Sequence, residues 1–461
     1  MPATDPTPPA VGEIRGEPLL GSLRWMWRDR LQFYTSLARR PEPILRFFIG
    51  PLPLYFVNAP TAIREVLLHD AEDFRKGFGN HVLRPLIGQG LFLAEGDPWS
   101  RRRKLVQPLF RQANLERMGD IAAQAVAPLR ERWLGYARTG QIFDAYRELR
   151  ELTLQIISRG LVGVDLFVKP EARALIERLW RETNARLDAP WLPFLPLPRN
   201  RRFAADRAAL HAAIDHAIAT HPAGAGDDLL SRLREARDPQ GKPLAAQELR
   251  DEVVTFLLAG HECTSIALSW CLHCLSGHPT IDAELHQQLS SPQLSSPTDA
   301  SPARAQSPLL RAVLSETIRL YPPAWIMGRQ TNRALPIADC ALAKDAILII
   351  CPYALHRRPD LYPEPEKFRP ERFLQGPRVD RFAYLPFGAG PRTCIGMGLA
   401  LQLAQVILTS LLSELRFEGE QPDVTPEPGL TLRPQPGLLG RVVRRSPLGT
   451  EPRLGQADRS R

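Results

Sequence analysis

The sequence predicts a mixed fold that is mainly α-helical and carries small β-sheets toward both ends of the chain. Residues 97–290 show mostly helical periodicity, whereas residues 44–57 and 345–351 carry runs typical of strands. The composition, with 44% hydrophobic and 24% charged residues, is that of an ordinary globular protein. Together these observations exclude a disordered, collagen-like or coiled-coil chain.

One large domain is predicted to occupy residues 17–445 of the 461. At roughly 150 residues per domain the length alone would allow about three domains, but no internal repeat is visible and the elements form one pattern. The Pro-rich residues 1–16 and the polar residues 446–461 are expected to be flexible.

The charge balance limits the partners that the protein can have. The net charge is +9, from 59 basic and 50 acidic residues, and only six of the basic residues are lysine. A charge of this size spread over the whole length is not a nucleic-acid-binding tail, so no nucleic acid partner is expected. An arginine-rich surface suits an acidic partner or an anionic cofactor.

The sequence also predicts where the protein works. The longest apolar run near the start, from Ile44 to Val57, is broken by a charge and by prolines, so no membrane span is expected. The N-terminus lacks the basic start and apolar core of a secretory signal. Six scattered cysteines are too few for a disulfide framework. We therefore expect a cytoplasmic, reducing location.

Two helices are predicted from their capping signals. The first begins at Asp97 with Pro98 in its first turn and places Trp99 and Arg103 four residues apart on one face. A later helix spans residues 308–320, with Ser307 as its N-cap.

A long helix from about Leu249 to Ser276 lies between these two along the chain. It would be roughly 40 Å long and is apolar nearly all round, so it should be buried. Its middle nevertheless carries Gly260 and Glu262, which are costly inside a buried helix. Such a local conflict indicates a functional site.

A glycine-rich segment from Phe387 to Gly396 delivers Cys394 to the start of a further helix. A helix N-terminus lowers the pKa of a cysteine, and a thiolate held there is a good ligand for a soft metal. Arg392, two residues before the cysteine, is placed to neutralise an anion beside the metal. For the cysteine taken alone, an inert thiol in a turn is the alternative interpretation.

This segment resembles the heme-binding loop of the cytochrome P450 family, the heme-thiolate monooxygenases. A second family signature is matched by Glu316 and Arg319, three residues apart, and by Arg372 in a Pro-Glu-Arg-Phe run. The resemblance covers about residues 15–445 and implies the cytochrome P450 fold, a single triangular-prism-like heme domain. The elements of the first signature that are present are Phe387, Gly388, Gly390, Arg392, Cys394 and Gly396.

The resemblance implies heme b (iron protoporphyrin IX) as cofactor, with Cys394 as the metal ligand. It also implies that Glu316, Arg319 and Arg372 form a structural charge triad. Arg101 and Arg102 are expected to be solvated. The residues expected to bind the propionates are Trp99, Arg103, Arg329 and Arg392, and the other cofactor-binding positions are Ala259, Gly260, Phe387, Gly388 and Gly396.

The central helix matches the family's oxygen-binding helix with one departure. Cys263 stands at the usual threonine position, and Thr264 follows about 100° further round the helix. A thiol is a weaker hydrogen-bond donor than a hydroxyl. Three alternatives are open at this position. In the first, Cys263 is tolerated, and Glu262 and water deliver protons. In the second, the helix is distorted so that Thr264 or a water serves, and in the third the reaction is poorly coupled or non-standard. Glu262, Cys263 and Thr264 are thus the candidate catalytic residues.

The resemblance also implies which positions line the substrate pocket, and these are mainly apolar. Such a pocket suits a lipophilic molecule such as a terpenoid, a fatty acid or a polyketide. Each pocket position could equally be loop packing. The positions are Phe78, His81, Leu86, Trp191, Phe194, Ala324, Trp325, Ile326, Met327, Leu430 and Thr431.

The resemblance implies an O2-dependent monooxygenase that takes electrons from NAD(P)H through a separate ferredoxin or flavodoxin-type partner. An arginine-rich surface beside the heme would steer such an acidic donor. The alternative is an enzyme on the same scaffold with non-standard chemistry, namely a peroxygenase, an isomerase or an oxidative coupling enzyme. A heme-bearing binding or sensor protein is a third hypothesis. The default oligomeric state is a monomer.

Overall fold

The computed structural model describes residues 11–69, 72–77, 79–189, 191–222, 228–238, 240–290, 307–375, 379–420 and 424–445. The α-helices in this part of the chain are α1 Leu23–Arg28, α2 Arg30–Ala38, α3 Pro60–Leu68, α4 Arg84–Ile87, α5 Gly96–Val106, α6 Gln112–Thr139, α7 Ala145–Val162, α8 Pro170–Asp188, α9 Pro198–Thr220, α10 Leu229–Glu235, α11 Ala246–Ser276, α12 Pro279–Leu289, α13 Pro308–Leu320, α14 Pro352–Leu355, α15 Glu371–Leu374 and α16 Met397–Leu412.

The strands account for a smaller share of the fold. They are β1 Gly12–Glu13, β2 Ile44–Ile49, β3 Leu52–Val57, β4 Phe74–Lys76, β5 Phe143–Asp144, β6 Met327–Thr331, β7 Leu335–Ile337, β8 Cys340–Leu342, β9 Ile347–Ile350, β10 Leu415–Gly419, β11 Thr425–Pro428, β12 Leu432–Gln435 and β13 Leu439–Arg444. The prediction of a mainly helical fold with small sheets is confirmed.

The largest sheet has six strands in the order β1-β2-β3-β9-β6-β4. The predicted strand–turn–strand is the β2–β3 hairpin, whose register runs from Ile44 opposite Val57 to Ile49 opposite Leu52. Two apolar clusters lie on the two faces of this sheet, since Ile44 belongs to one and its neighbour Leu45 to the other. The antiparallel pair β4–β6 sets Lys76 directly opposite Arg329.

Helix α11 is the axis of the helical part. It is 31 residues long, or about 46 Å, and packs against α7, α9, α13 and α16 within the main core. By length and composition it could cross a membrane, yet 72% of its most apolar window is buried inside the protein. The hydrophobic run therefore serves as the core of the domain, as its all-round apolar pattern predicts.

Two predicted boundaries need correction. Residues 12–13 were expected in a flexible arm, but they form β1 parallel to β2, and the Ile14 N–H donates to the Arg46 carbonyl at 2.8 Å. They are held because they satisfy backbone groups on the edge of β2. Helix α5 begins two residues earlier than expected: its N-cap is Glu95, and Asp97 lies in the first turn.

The start of α13 agrees with its prediction, since the Ser307 hydroxyl accepts the Leu310 N–H at 3.1 Å. The predicted tail, residues 446–461, lies outside the described residues, as do residues 1–10 of the predicted N-terminal arm.

Candidate functional site

One face of α11 keeps accessible surface although the helix lies inside the core. The helix is buried on most of its surface, but a stripe of side chains at intervals of three or four residues keeps accessible surface. Because the helix lies inside the core, this surface must face an internal space. The residues of the stripe are Phe256, Ala259, Gly260, Cys263 and Ala267.

The cysteine loop faces this interior. Gly388 and Gly390 adopt φ angles of +68° and +72°, and a Cβ on Gly390 would lie 2.0 Å from the Leu67 carbonyl oxygen, so the turn requires glycine there. The Cys394 N–H donates to the Phe387 carbonyl at 2.9 Å. These constraints fix the direction of the thiol.

The electrostatics of Cys394 differ from the sequence prediction. The thiol has accessible surface, yet burial raises its pKa above the usual value, and the Gly396 N–H and Arg103 only partly offset this. Both facts hold if the accessible surface faces an internal cavity rather than solvent. The expected helix effect is weak because α16 begins only at Met397. A metal cation would reverse the balance, since a coordinating thiol is deprotonated.

Cys263 shares this space with Cys394. Burial raises the pKa of the Cys263 thiol to about 12, with a further contribution from Cys394. Thr264 cannot replace it, because its hydroxyl is buried and donates to the Gly260 carbonyl at 2.8 Å. Of the candidate catalytic residues, only Cys263 therefore lies on the cavity stripe.

Cations gather at one end of the cavity. Burial lowers the pKa of Arg329 to about 10 and that of Lys76 to about 7, and the nearby Arg392 adds to both shifts. Burial also lowers the pKa of Arg103. The Arg392 guanidinium lies 4.6 Å from the Trp99 ring centroid. All four residues of the predicted propionate set are thus brought into one region.

Lys76 is the member of this region that sequence reasoning missed. In the described part of the chain its ammonium has no hydrogen-bond or ion-pair partner, and it lies 4.0 Å from the Phe92 ring centroid. Like charges directly opposite each other across two strands are unfavourable, yet Lys76 faces Arg329 in the β4–β6 register. Such an arrangement needs an anion between the cations.

Glu95 organises the same region from the start of α5. One carboxylate oxygen accepts the Lys76 backbone N–H at 2.7 Å, and the other pairs with Arg392. Arg392 also donates to the Ala94 carbonyl at 3.0 Å. One carboxylate for three crowded cations leaves positive charge uncompensated, which suits a doubly anionic group such as the two propionates of heme.

The expectation that Arg101 and Arg102 are solvated is wrong. Arg102 is buried, pairs with Glu252 at 3.3 Å and donates to the Gln89 carbonyl. Arg101 binds Asp238 at 2.6 Å. Both side chains point from α5 toward α11 and its preceding loop, so they fix the helix that carries Trp99 and Arg103.

The three residues of the predicted charge triad meet in the structure. Arg319 binds the Glu316 carboxylate at 2.6 and 2.8 Å, and neither side chain has any exposed surface. Arg372 approaches the same carboxylate at 3.3 Å. Arg319 further donates to the carbonyls of His356 and Pro365 at 2.7 and 2.8 Å, which ties α13 to the segment before the cysteine loop.

Glu262 lies away from the cavity stripe. Its carboxylate is 1% exposed and accepts the Arg433 guanidinium at 2.5 Å, the Thr431 hydroxyl at 3.3 Å and the Tyr146 hydroxyl at 3.4 Å. Burial alone would raise its pKa, but Arg433 and His261 outweigh burial and hold the pKa below the usual value. The predicted catalytic role of Glu262 stays a prediction, and the structure places its carboxylate off the stripe.

The predicted pocket residues fall into distinct groups. Leu86 and Trp325 are packed in the core, and Thr431 is 7% exposed with its hydroxyl committed to Glu262. Trp191 and Phe194 lie on the outer surface, 53% and 86% exposed. Phe78 lies outside the described residues, and only the backbone of His81 is described. The positions that keep partial or full accessibility are Ala324, Ile326, Met327 and Leu430.

A depression of about 490 Å³ lies beside the cysteine and is bordered by basic side chains from α5 and its continuation. Its charged lining residues are Arg103, Lys104 and Arg111. Cys394 and Ile395 also line it.

The chain is similar to one protein family and to several named proteins. A family model described as Cytochrome P450 matches residues 12–441. Cyclooctat-9-en-7-ol 5-monooxygenase of Streptomyces melanosporofaciens is 32% identical over 450 residues, covering 94% of each chain. Cyclooctatin synthase of the same organism is 32% identical and covers 92% of each chain. Pentalenene oxygenase of Streptomyces avermitilis is 29% identical, covering 90% of this chain and 92% of its own.

Proposed function

The chain belongs to the cytochrome P450 family, and on that premise we propose that it oxidises a cyclic terpenoid. It is a heme-thiolate monooxygenase that uses heme b, O2 and electrons from NAD(P)H through a redox partner, and it acts on a lipophilic small molecule. The observation that carries the assignment is an accessible stripe on the buried helix α11 whose Cys263 lies near Cys394, with buried cations grouped around Arg392 of the same loop.

The residues present fit heme b. Cys394 is the soft ligand for the iron, and Arg329, Arg392, Arg103 and Lys76 are placed to hold the propionates. The chemistry that heme b supplies when bound is the reductive activation of O2 and the transfer of one oxygen atom to the substrate. The apolar stripe of α11 excludes water and orients the substrate, while the glycine loop fixes the thiolate.

The apolar character of the cavity wall supports a terpenoid substrate. Phe256, Ala259, Ile326, Met327 and Leu430 offer no charge to bind a carboxylate. Two relatives are named for cyclooctat-9-en-7-ol and pentalenene. A compact cyclic hydrocarbon or alcohol fits such a wall better than a fatty acid does.

Ligand titration of the purified heme protein tests the substrate class. Cyclic sesquiterpenes and diterpenes should shift the Soret band at lower concentrations than fatty acids of equal carbon number. Turnover with NAD(P)H, a ferredoxin or flavodoxin system and O2 should then give a hydroxylated product. Tighter binding and turnover of the fatty acids would overturn the terpenoid proposal.

We also propose that the basic depression beside Cys394 receives the ferredoxin or flavodoxin. Arg103, Lys104 and Arg111 would attract an acidic donor, so the rate of electron transfer should fall as salt rises. A monomeric state, the absence of a nucleic acid partner and a cytoplasmic location stay predictions of the sequence.

A second candidate function rests on Cys263. The cavity stripe has no hydroxyl at the position where oxygen is activated, which favours the alternative of non-standard chemistry such as a peroxygenase, an isomerase or an oxidative coupling enzyme. Product formation with hydrogen peroxide alone, or without net O2 uptake, would support this second candidate.

Replacing Cys263 by threonine should preserve folding and raise the fraction of electrons that end in product, because a hydroxyl is the stronger hydrogen-bond donor at the same place. The ratio of product to NAD(P)H consumed measures this. Thr264→Val is the control, since that hydroxyl is buried against Gly260 and its loss should not change the ratio. Equal or lower coupling in Cys263→Thr would refute the view that the cysteine is merely tolerated.

Replacing Lys76 by methionine should have opposite effects on the heme-free and heme-bound proteins. With the pKa of Lys76 lowered to about 7 from 10.5, this lysine destabilises the native state: the penalty is absent above pH 10.5, grows as the pH falls and is full below pH 7. The variant should therefore stabilise the heme-free protein most at pH 6 to 7. The bound protein should lose heme about tenfold faster, because one charge-assisted contact is gone.

Urea unfolding of the heme-free protein and transfer of heme to an acceptor apoprotein measure the two effects of Lys76→Met. The matched control is Lys104→Met, which removes an exposed lysine of α5. Unchanged heme transfer in Lys76→Met would contradict a propionate role for this residue.

A further inference from the structure

A buried polar cluster lies against α11, away from the cavity stripe. We call it the Glu262 cluster and define it as Glu262, Arg433, Thr431 and Tyr146. Arg433 donates to the carboxylate at 2.5 Å, and the Thr431 and Tyr146 hydroxyls donate at 3.3 and 3.4 Å. The carboxylate thus has three donors and almost no accessible surface.

The direction of Glu262 follows from helix geometry. Successive residues are 100° apart, and the cavity stripe contains positions 259, 260, 263 and 267. Position 262 is therefore about 100° away from Cys263. The carboxylate points to Arg433, so it does not share the space that lies between Cys263 and Cys394.

Two partners of Glu262, Arg433 and Thr431, belong to the segment that contains Leu430. Arg433 is in β12, and its guanidinium lies 5.5 Å from the Trp180 ring centroid of α8. Two residues before Thr431, the Gly429 carbonyl accepts the Trp325 indole N–H at 2.7 Å. Leu430, between these positions, keeps partial accessibility.

Further hydrogen bonds hold the same segment on other sides. The Leu430 N–H donates to the Asn184 side chain at 2.7 Å, and the Leu432 carbonyl accepts the Trp270 indole N–H at 2.9 Å. Residues 429–433 are consequently fixed from α8, from the segment before β6 and from α11. The Glu262–Arg433 pair is the ionic contact in this set.

We propose that Arg433 is a positioning residue that acts through Glu262: the pair holds residues 429–433 against α11 and so sets the place of Leu430 in the substrate cavity. Glu262 is assigned to this pair. The inference rests on the proposed function to the extent that the cavity receives the substrate.

A double-mutant cycle tests the positioning role. Arg433→Met and Glu262→Leu each leave one buried charge unpaired, so each should lower the urea midpoint of unfolding. Each should also weaken binding of a cyclic terpene by about three- to tenfold and change the ratio of its oxidation products. The double variant Glu262→Leu/Arg433→Met should recover most of the midpoint and of the affinity.

The positioning role is overturned if Arg433→Met lowers the urea midpoint but leaves the affinity for the terpene and the ratio of its oxidation products unchanged. Failure of wild-type protein to bind any terpene would instead reject the proposed substrate class, while the unfolding cycle would still test the pair.

Two more variants are controls for misfolding and for a non-specific loss of binding or activity. Arg433→Lys keeps the charge, so it should fold and should raise KM more than it lowers kcat. Arg441→Met removes an arginine of β13 that is about half exposed and pairs with Glu418, and it should change none of the measured quantities. An equal fall of kcat in Arg433→Lys without a change in KM would count against a positioning role.

Discussion

Replacing Cys394 by alanine is expected to abolish the strongly red-shifted Soret band of the reduced protein with carbon monoxide. Cys394 is the cysteine that the Phe387–Gly396 loop fixes toward the cavity, and its thiolate is what gives the heme its spectroscopic signature. We expect complete loss of the band and of monooxygenase turnover. The reduced-minus-oxidised and carbon monoxide difference spectra measure the effect.

Cys263→Ala is the matched control for this experiment. It removes the other thiol that shares the cavity, and it should keep the red-shifted band because α11 lies on the opposite side. A red-shifted band that persists in Cys394→Ala would overturn the ligand assignment. A band at the histidine-ligated or free-thiol position in the wild-type protein would do the same.

Replacing Glu316 by alanine is expected to lower the free energy of unfolding by about 3–5 kcal/mol, because it leaves the guanidinium of Arg319 buried and unpaired. Both side chains are fully buried, and Arg319 also organises the carbonyls of His356 and Pro365. Urea unfolding and the yield of folded protein measure the loss.

Arg369→Ala is the control for Glu316→Ala. Arg369 is exposed and pairs with Glu364 at 2.9 Å, and such surface pairs contribute about 0–1 kcal/mol. A loss in Glu316→Ala no larger than in this control would show that the buried pair does not hold the segment that precedes the cysteine loop.

The parts of the site that could be predicted from the sequence alone are those that consist of short motifs. The turn that needs Gly390, the spacing of Glu316 and Arg319, and the four-residue step from Trp99 to Arg103 are local properties. Local geometry determines them, so the residues can be identified without knowing how distant elements pack.

The residues that sequence missed depend on packing between distant elements. Lys76 faces Arg329 only because β4 pairs with β6. Arg433 binds Glu262 only because β12 packs against α11. No local signal in the sequence shows that Arg102 is buried against Glu252 and not solvated. The spacing of residues along the chain does not predict long-range pairing of this kind.

The same limit explains the errors in the predicted pocket. Leu86 and Trp325 are apolar residues in the correct stretches of chain, but their side chains turn into the core. Trp191 and Phe194 have the composition of a cavity wall and lie on the outer surface. Composition predicts which segments border a pocket, whereas side-chain direction depends on the packing of their neighbours.

The facing cations Lys76 and Arg329 have a consequence for the protein in its host cell. Before heme is bound, their repulsion destabilises the native protein, and bound propionates would offset it. Any ligand that binds only the native state raises its population by mass action. The amount of protein that escapes proteolysis should therefore rise with the supply of heme, so that synthesis of the cofactor, and not transcription alone, sets the abundance of the enzyme.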